Sequence, residues 1–200
     1  MVAPAREQPP FDPRQIVASL ERHRANYVLI GGLARVLRGC DEITTGVDIT
    51  PAFGADSLER LAAALQELAA TQTNRRRLEV TERLLSERPV IALTTAFGAL
   101  NIVAKPAGVA RGFIDLRRAA TREDLGHGLR PYIASAGDLA GMAAALHRDQ
   151  DIAVLPALRR IIELEVDRAQ TIGPPQVRGP ARHTSGLDLT PRRDGPKLTR

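Results

Sequence analysis

Residues 27–51 read YVLIGGLARVLRGCDEITTGVDITP, and the fold follows from how this stretch is parsed. The apolar run Tyr27-Val28-Leu29-Ile30 has the composition of a buried strand. It breaks at Gly31-Gly32, continues as a short helical piece, and returns at Val47-Asp48-Ile49 as a second predicted strand. A glycine pair between strand and helix has two readings. It serves a tight turn where β-carbons do not fit, or it lets backbone approach a phosphate. Asp48 on the next strand is likewise either a solvated or capping carboxylate or a ligand for a metal ion.

Working outward, Asp12-Pro13 has the signature of a helix start, with Ile16, Val17 and Leu20 on one apolar face and an end expected near Asn26. Residues 1–11, carrying Pro4, Pro9 and Pro10, are expected to be a disordered lead. Downstream, Asp56-Ser57-Leu58 is predicted as a cap. Spacings of three and four through Leu58, Leu61, Ala62, Leu65, Leu68 and Ala69 predict an amphipathic helix over about 57–70. Arg75-Arg76-Arg77 is a solvated cluster or a phosphate contact, without interleaved aromatics for base stacking.

Residues 89–95 and 99–103, separated by Ala96-Phe97-Gly98, predict a strand hairpin. A short helix is expected over 113–120, and 132–134 is a last strand or an extended link. Ser135-x-x-Asp138 resembles a capping box and opens a helix whose buried stripe is Leu139, Met142, Ala143 and Leu146. A second helix is predicted over 151–168, with Ile152, Leu155, Leu158, Ile161, Ile162 and Leu164 apolar and Pro156 in its first turn or bending it. The order predicts a small mixed α/β (α+β) sheet flanked by helices over 12–134, with a C-terminal helical portion over 135–170.

Composition limits the function classes. The chain has 200 residues, enough for a real core, but aromatics are 3% and Trp is absent, so the core is built from Leu, Ile, Val and Ala. No apolar run approaches the roughly 18 to 20 residues of a membrane span, so no membrane partner is expected. The start of the sequence lacks the apolar segment of a secretory signal. Cys40 is the single cysteine, which excludes an internal disulfide and matches a reducing cytoplasm; the four histidines lack ligand spacing. The net charge is +5, but residues 171–200 hold +4 of it, so the rest of the chain is close to neutral. That Pro/Gly-rich basic tail is expected to be disordered, either as a solubilising end or as a non-specific nucleic-acid contact.

With LIGGLA at 29–34, GCDEITTGVDITP at 39–51, TTAFGALNIV at 94–103 and SAGDLAGMAAALHRDQDIAVLPAL at 135–158, the chain resembles the minimal nucleotidyltransferase fold. More closely it is similar to bacterial nucleotidyltransferase proteins of the AbiEii toxin type. The resemblance covers about residues 14–165. It implies a site with two aspartates two apart on one strand and a third acidic residue on a neighbouring strand, binding Mg and a nucleoside triphosphate. Alternate strand positions face one side, so such carboxylates converge on one metal centre. The implied site residues are Asp48 as catalytic group and metal ligand, with Gly31, Gly32, Thr45 and Asn101 contacting the nucleotide.

The pattern departs from the family at four positions. Gly46 stands where the first aspartate is implied, Asn101 where the third acid is implied, Ala143 where relatives place a lysine, and Glu42 where they place an arginine. Charge is lost or reversed at positions that face a nucleotide, while the glycines and the core pattern survive. The main expectation is a catalytically degenerate protein retaining weak nucleotide or partner binding, in a toxin–antitoxin-like or regulatory setting. One alternative is an active Mg-dependent enzyme in which Glu42 or Asp41 supplies the missing charge, transferring a nucleoside monophosphate to a hydroxyl of RNA or protein. The other is a nucleic-acid-associated module acting through the basic tail.

Overall fold

The computed structural model describes residues 10–72 and 79–172. The arginine triplet 75–77, the lead up to residue 9 and the tail from residue 173 lie outside the described residues. In chain order the elements are α1 (Pro13–Arg22), β1 (Tyr27–Ile30), α2 (Gly31–Leu37), β2 (Gly46–Pro51), α3 (Ala55–Glu67), α4 (Glu82–Glu87), β3 (Val90–Thr95), β4 (Gly98–Val103), α5 (Phe113–Ala119), β5 (Thr121–Arg122), β6 (Tyr132–Ile133), α6 (Ala136–Leu146) and α7 (Asp149–Ile172). The strands form one six-stranded mixed sheet in the order β3-β4-β2-β1-β6-β5. β2 lies antiparallel to β1 and parallel to β4, and β3–β4 is an antiparallel hairpin.

Period-two alternation sorts the side chains between two faces. Val47 and Ile49 of β2 share one face with their register partners Leu100 and Ile102 of β4 and with Ile91 and Leu93 of β3, and all six are buried. α1 and α3 pack on each other and both touch β2. Their buried stripes are Ile16, Val17 and Leu20 on α1 and Leu58, Leu61, Ala64 and Leu65 on α3. The opposite face carries Gly46, Asp48 and Asn101 and is only partly covered. α6 stands across from it, giving Leu139, Met142 and Ala143 to the far wall of a cleft.

Local signals match the elements in most places. The Asp12 carboxylate accepts from the backbone N–H groups of Arg14 and Gln15, and Pro13 takes the first helical position. Ser135 Oγ accepts from Asp138 N and donates to its carboxylate, so the modified capping box is formed. Residues 132–133 are a true strand, paired parallel with β1 through Leu29 and Ile133. Phe11, placed in the disordered lead, lies against Gly98, whose positive φ of 114° turns the hairpin.

Several details differ from the sequence expectation. Asp56 does not cap α3: the helix begins at Ala55 behind Gly54 at φ 127°, and Asp56 falls in the first turn, where it complements the helix dipole. Leu146, the last residue of α6 before the left-handed C-cap His147, lines the cleft with Leu139, Met142 and Ala143 but is 43% exposed. The last helix begins earlier, at Asp149, and Pro156 lies within it. The missing N–H of Pro156 deprives the carbonyl of Ile152, an exposed residue whose carbonyl water can satisfy. Its buried stripe is Asp151, Val154 and Leu158, so Ile152 and Leu164 face outward. α4 and β5 have no counterpart in the sequence reading; α4 is held by the fully buried Leu85 and capped by Thr81.

Removing the Asp12 cap isolates one of these local terms. Asp12→Ala should lower stability by about 1 kcal/mol. The check is a urea titration, in which the midpoint falls while the slope is unchanged.

Candidate functional site

The cleft on the partly covered face has a volume of about 320 Å³. Its floor is made where β1, β2 and β4 run side by side. Asp48 is the register partner of Ile30 on one side and of Asn101 on the other. The neighbouring strand that the resemblance requires is therefore the immediate neighbour, with position 101 directly opposite position 48. Asn101 Nδ2 donates to Asp48 Oδ1 at 2.8 Å.

Both glycines are demanded by side chains of the protein itself. Gly31 has φ 68°, and a β-carbon there would lie 2.7 Å from Asp48 Cγ and 2.9 Å from Asp48 Cβ. A β-carbon on Gly32 would lie 2.9 Å from Thr44 Oγ1, a hydroxyl that donates to the Gly46 carbonyl at 3.1 Å. Of the two readings of the pair, close approach of β2 and its lead-in is enough to require glycine. At Gly46, by contrast, a β-carbon would make ordinary contact with Ala99 at 3.4 Å, so the missing carboxylate is not excluded by space.

The cations of the site come from residues to which the sequence reading gave no role. Arg35 on α2 grips Glu42 with two hydrogen bonds, Nε to Oε1 at 2.8 Å and Nη2 to Oε2 at 3.0 Å. Arg35 Nη1 also stands 3.5 Å from Oδ1 of Asp151 on α7, and Arg148 Nε lies 2.5 Å from Asp151 Oδ2. Asp151 is completely buried. Arg35, Arg148 and Lys105 line the cleft together with Asp48. Burial pushes the Asp48 carboxyl above the ordinary aspartate range, against the opposing pull of the Asn101 hydrogen bond, of Arg35 and Arg148, and of the Gly32 amide.

Gly31, Asp48 and Asn101 thus line one cleft; Gly32 and Thr45 stand outside its lining, and Thr45 is exposed. Ala143 lines the wall opposite Asp48, and the cations of the cleft come from Arg35, Lys105 and Arg148 instead. Glu42, weighed as a replacement ligand, is committed to Arg35, and Asp41 is exposed.

These residues do not fit a two-metal centre. Among the described residues Asp48 is the one carboxylate lining the cleft, and one of its oxygens accepts from an amide. Among the described residues no group of three or more His, Cys, Asp or Glu converges to hold an ion. The two further carboxylates nearby are matched by arginines, so positive charge is already built into the protein. A phosphorylated ligand fits better: guanidinium and ammonium groups lie at the cleft, and Ile30, Leu139 and Met142 supply an apolar wall. Because Glu42 and Asp151 neutralise much of the arginine charge, that attraction is weak.

No protein-family model matches the chain, and no curated protein matches it. Among solved structures it is similar to a "putative nucleotidyltransferase" from Thermotoga maritima, with a TM-score of 0.41 and 16% identity over 80% of this chain and 89% of that chain. At that distance no residue assignment is carried across.

Two substitutions test this geometry. Gly31→Ala should destabilise by more than about 1 kcal/mol, since the backbone is left-handed and the space is filled; adding Asp48→Ala should recover part of the loss in a double-mutant cycle by urea denaturation. For Asp48 itself the sign follows from linkage: a carboxyl raised in the folded state binds more protons there than in the unfolded chain. Stability therefore falls as pH rises from the ordinary aspartate value through the folded one. Relative to the native chain, Asp48→Asn should gain stability as pH rises from about 4 to about 7, read from urea midpoints at each pH. A difference between the two that stays flat or runs the other way would contradict the assignment.

Proposed function

We propose that this chain is a catalytically degenerate protein of the nucleotidyltransferase type, which binds a nucleotide weakly in the β1–β2–β4 cleft and without a divalent ion. The observation that carries this reading is the Asn101–Asp48 hydrogen bond. Position 101 presents an N–H donor to the one remaining carboxylate, where metal chemistry needs a second acceptor. Two-metal catalysis depends on several carboxylates offsetting the ions while phosphates and the attacking hydroxyl fill the open positions. Here Gly46 contributes no ligand, Asn101 contributes no charge, and Arg35 and Arg148 occupy the electrostatic role of the cations.

The nucleotidyltransferase ancestry rests on the four-segment sequence resemblance and on the juxtaposition of positions 48 and 101. A bound nucleotide would set its phosphates towards Lys105, Arg148 and Arg35 and its base against Met142 and Leu139. A role beside a protein or RNA partner, as in the toxin-type relatives, extends the same proposal. Nothing in the cleft favours an active enzyme rescued by Glu42, since that carboxylate is held by Arg35.

The test uses ATP as probe in titration calorimetry. The native chain should bind it weakly, with the same affinity in Mg and in EDTA, and Arg148→Ala should weaken binding about tenfold, equivalent to about 1.4 kcal/mol. Gly46→Asp/Asn101→Asp should acquire Mg-dependent binding that the native chain lacks. Labelled nucleotide transferred by the native chain in Mg, and lost in Asp48→Ala, would overturn the proposal, as would native ATP binding that requires Mg.

A further inference from the structure

β1 has a second functional surface at its other end. Tyr27 and Ile30 are three residues apart on an extended strand, so their positions differ by roughly 10 Å. While Ile30 opens onto the cleft, Tyr27 lies at a separate concavity of about 240 Å³. Four arginines converge there from four different places in the fold. Arg24 comes from the turn after α1, Arg60 from the exposed side of α3, Arg117 from α5 and Arg122 from β5.

Tyr132, the cross-strand partner of Arg122, stands among them. The Arg117 guanidinium lies 3.4 Å from the centroid of its ring and that of Arg122 lies 4.5 Å away. The same two cations push the Tyr132 phenol below its usual range, the hydrogen bond with Arg122 being the larger cause. The concavity has one carboxylate, Glu21, and that group accepts a hydrogen bond from the Tyr27 hydroxyl at 2.9 Å. Among the described residues none of the four arginines forms an ion pair with a carboxylate.

Surface arginines are ordinarily interspersed with acids, and residues 1–170 are close to neutral overall. Four unpaired guanidiniums gathered from separate elements are therefore a local charge excess that folding creates. Guanidinium is the side chain suited to bidentate contact with phosphate oxygens. A single phosphate would offset at most half of this charge, whereas a run of phosphodiesters brings one charge per nucleotide. Arg117 and Arg122 occupy the neighbourhood of the Tyr132 ring, so the contact reads backbone in preference to stacked bases.

We propose that Arg24, Arg60, Arg117 and Arg122, arranged around Tyr132, form a sequence-independent binding site for the phosphodiester backbone of a nucleic-acid strand. The site is distinct from the nucleotide cleft and does not depend on it. It also assigns nucleic-acid contact to the folded body and not to residues 171–200.

The test is fluorescence anisotropy of a labelled 15-nucleotide oligouridylate with the full chain across a salt series. Neutralising four phosphates predicts a slope of log affinity against log salt of about −2.8, from roughly −0.7 per phosphate on a single strand. Arg117→Gln/Arg122→Gln should reduce the slope to about −1.4 and weaken binding at least tenfold at low salt. Arg60→Gln, on an exposed helix surface away from the Tyr132 ring, should remove about 0.7 from the slope; a thermal melt of each variant checks that the fold is kept. Arg192→Gln/Arg193→Gln in the tail should leave most of the affinity in place. The proposal is overturned if the pocket variants bind like the native chain, if the tail variant alone abolishes binding, or if no salt-sensitive binding occurs. It is overturned equally if inorganic phosphate or polyglutamate of similar length occupies the site as tightly as the oligonucleotide.

Discussion

Asp151 is a fully buried carboxylate at the start of the longest helix, and its burial is possible only because Arg35 and Arg148 face it. An unpaired buried charge costs several kcal/mol, so this contact constrains three elements at once. It links α7 to α2 through Arg35 and to the turn between α6 and α7 through Arg148. Through Arg35 it also draws in Glu42 from the segment that leads into β2. The position of Asp151 in the first turn of α7 adds the favourable end of the helix dipole to the pairing. The consequence for the cleft is electrostatic: two guanidiniums are held beside Asp48 whether or not a ligand is present.

The same pairing also holds the cleft in shape around Asp48. In a two-metal site, mutual repulsion among acids is relieved by the ions. Here Asp48 is hydrogen-bonded by Asn101 and sits in the field of Arg35 and Arg148. The glycine pair is required by the packing of the protein itself. Gly31 faces the Asp48 side chain and Gly32 faces Thr44, and both would clash if given a β-carbon, independently of any phosphate. The two ends of β1 thus face different surroundings, the cleft at Ile30 and, at Tyr27, an arginine cluster that pairs with no carboxylate of the described chain.

Much of the frame was legible in the residues. The apolar run before Gly31, the hairpin around Gly98, the Asp12 and Ser135 caps and the helix stripe from Leu58 to Leu65 are local signals, each set by backbone preference or short periodicity, and each is found in place. The misses have a common cause. α4 and β5 are too short for periodicity to mark them, and α4 is secured by one buried side chain, Leu85. A search for apolar residues at helical spacing marks Leu146 as buried; it lies on the cleft side of α6 but stays 43% exposed at the helix end. On α7 the buried face includes Asp151, which such a search discards. The candidate site was legible at Gly31, Asp48 and Asn101, which lie at positions the resemblance marks, and illegible at Arg35 and Lys105, which lie in none of the four segments, and at Arg148, which lies in one but at no marked position.

The sequence by itself determined the order of elements, the apolar faces that drive them together, and the absence of side-chain charge at positions 46 and 101. These follow from residue chemistry and from periodicities of two and 3.6, which need no knowledge of distant neighbours. Only the tertiary structure decided which charges meet. The parallel register of β2 and β4 sets Asn101 against Asp48 across 53 positions of chain, and the return of α7 brings Asp151 to Arg35. The same closure gathers Arg24, Arg60, Arg117 and Arg122 around Tyr132. Electrostatic partnership depends on separation in space and on burial, and both are set when the sheet and helices close on one another.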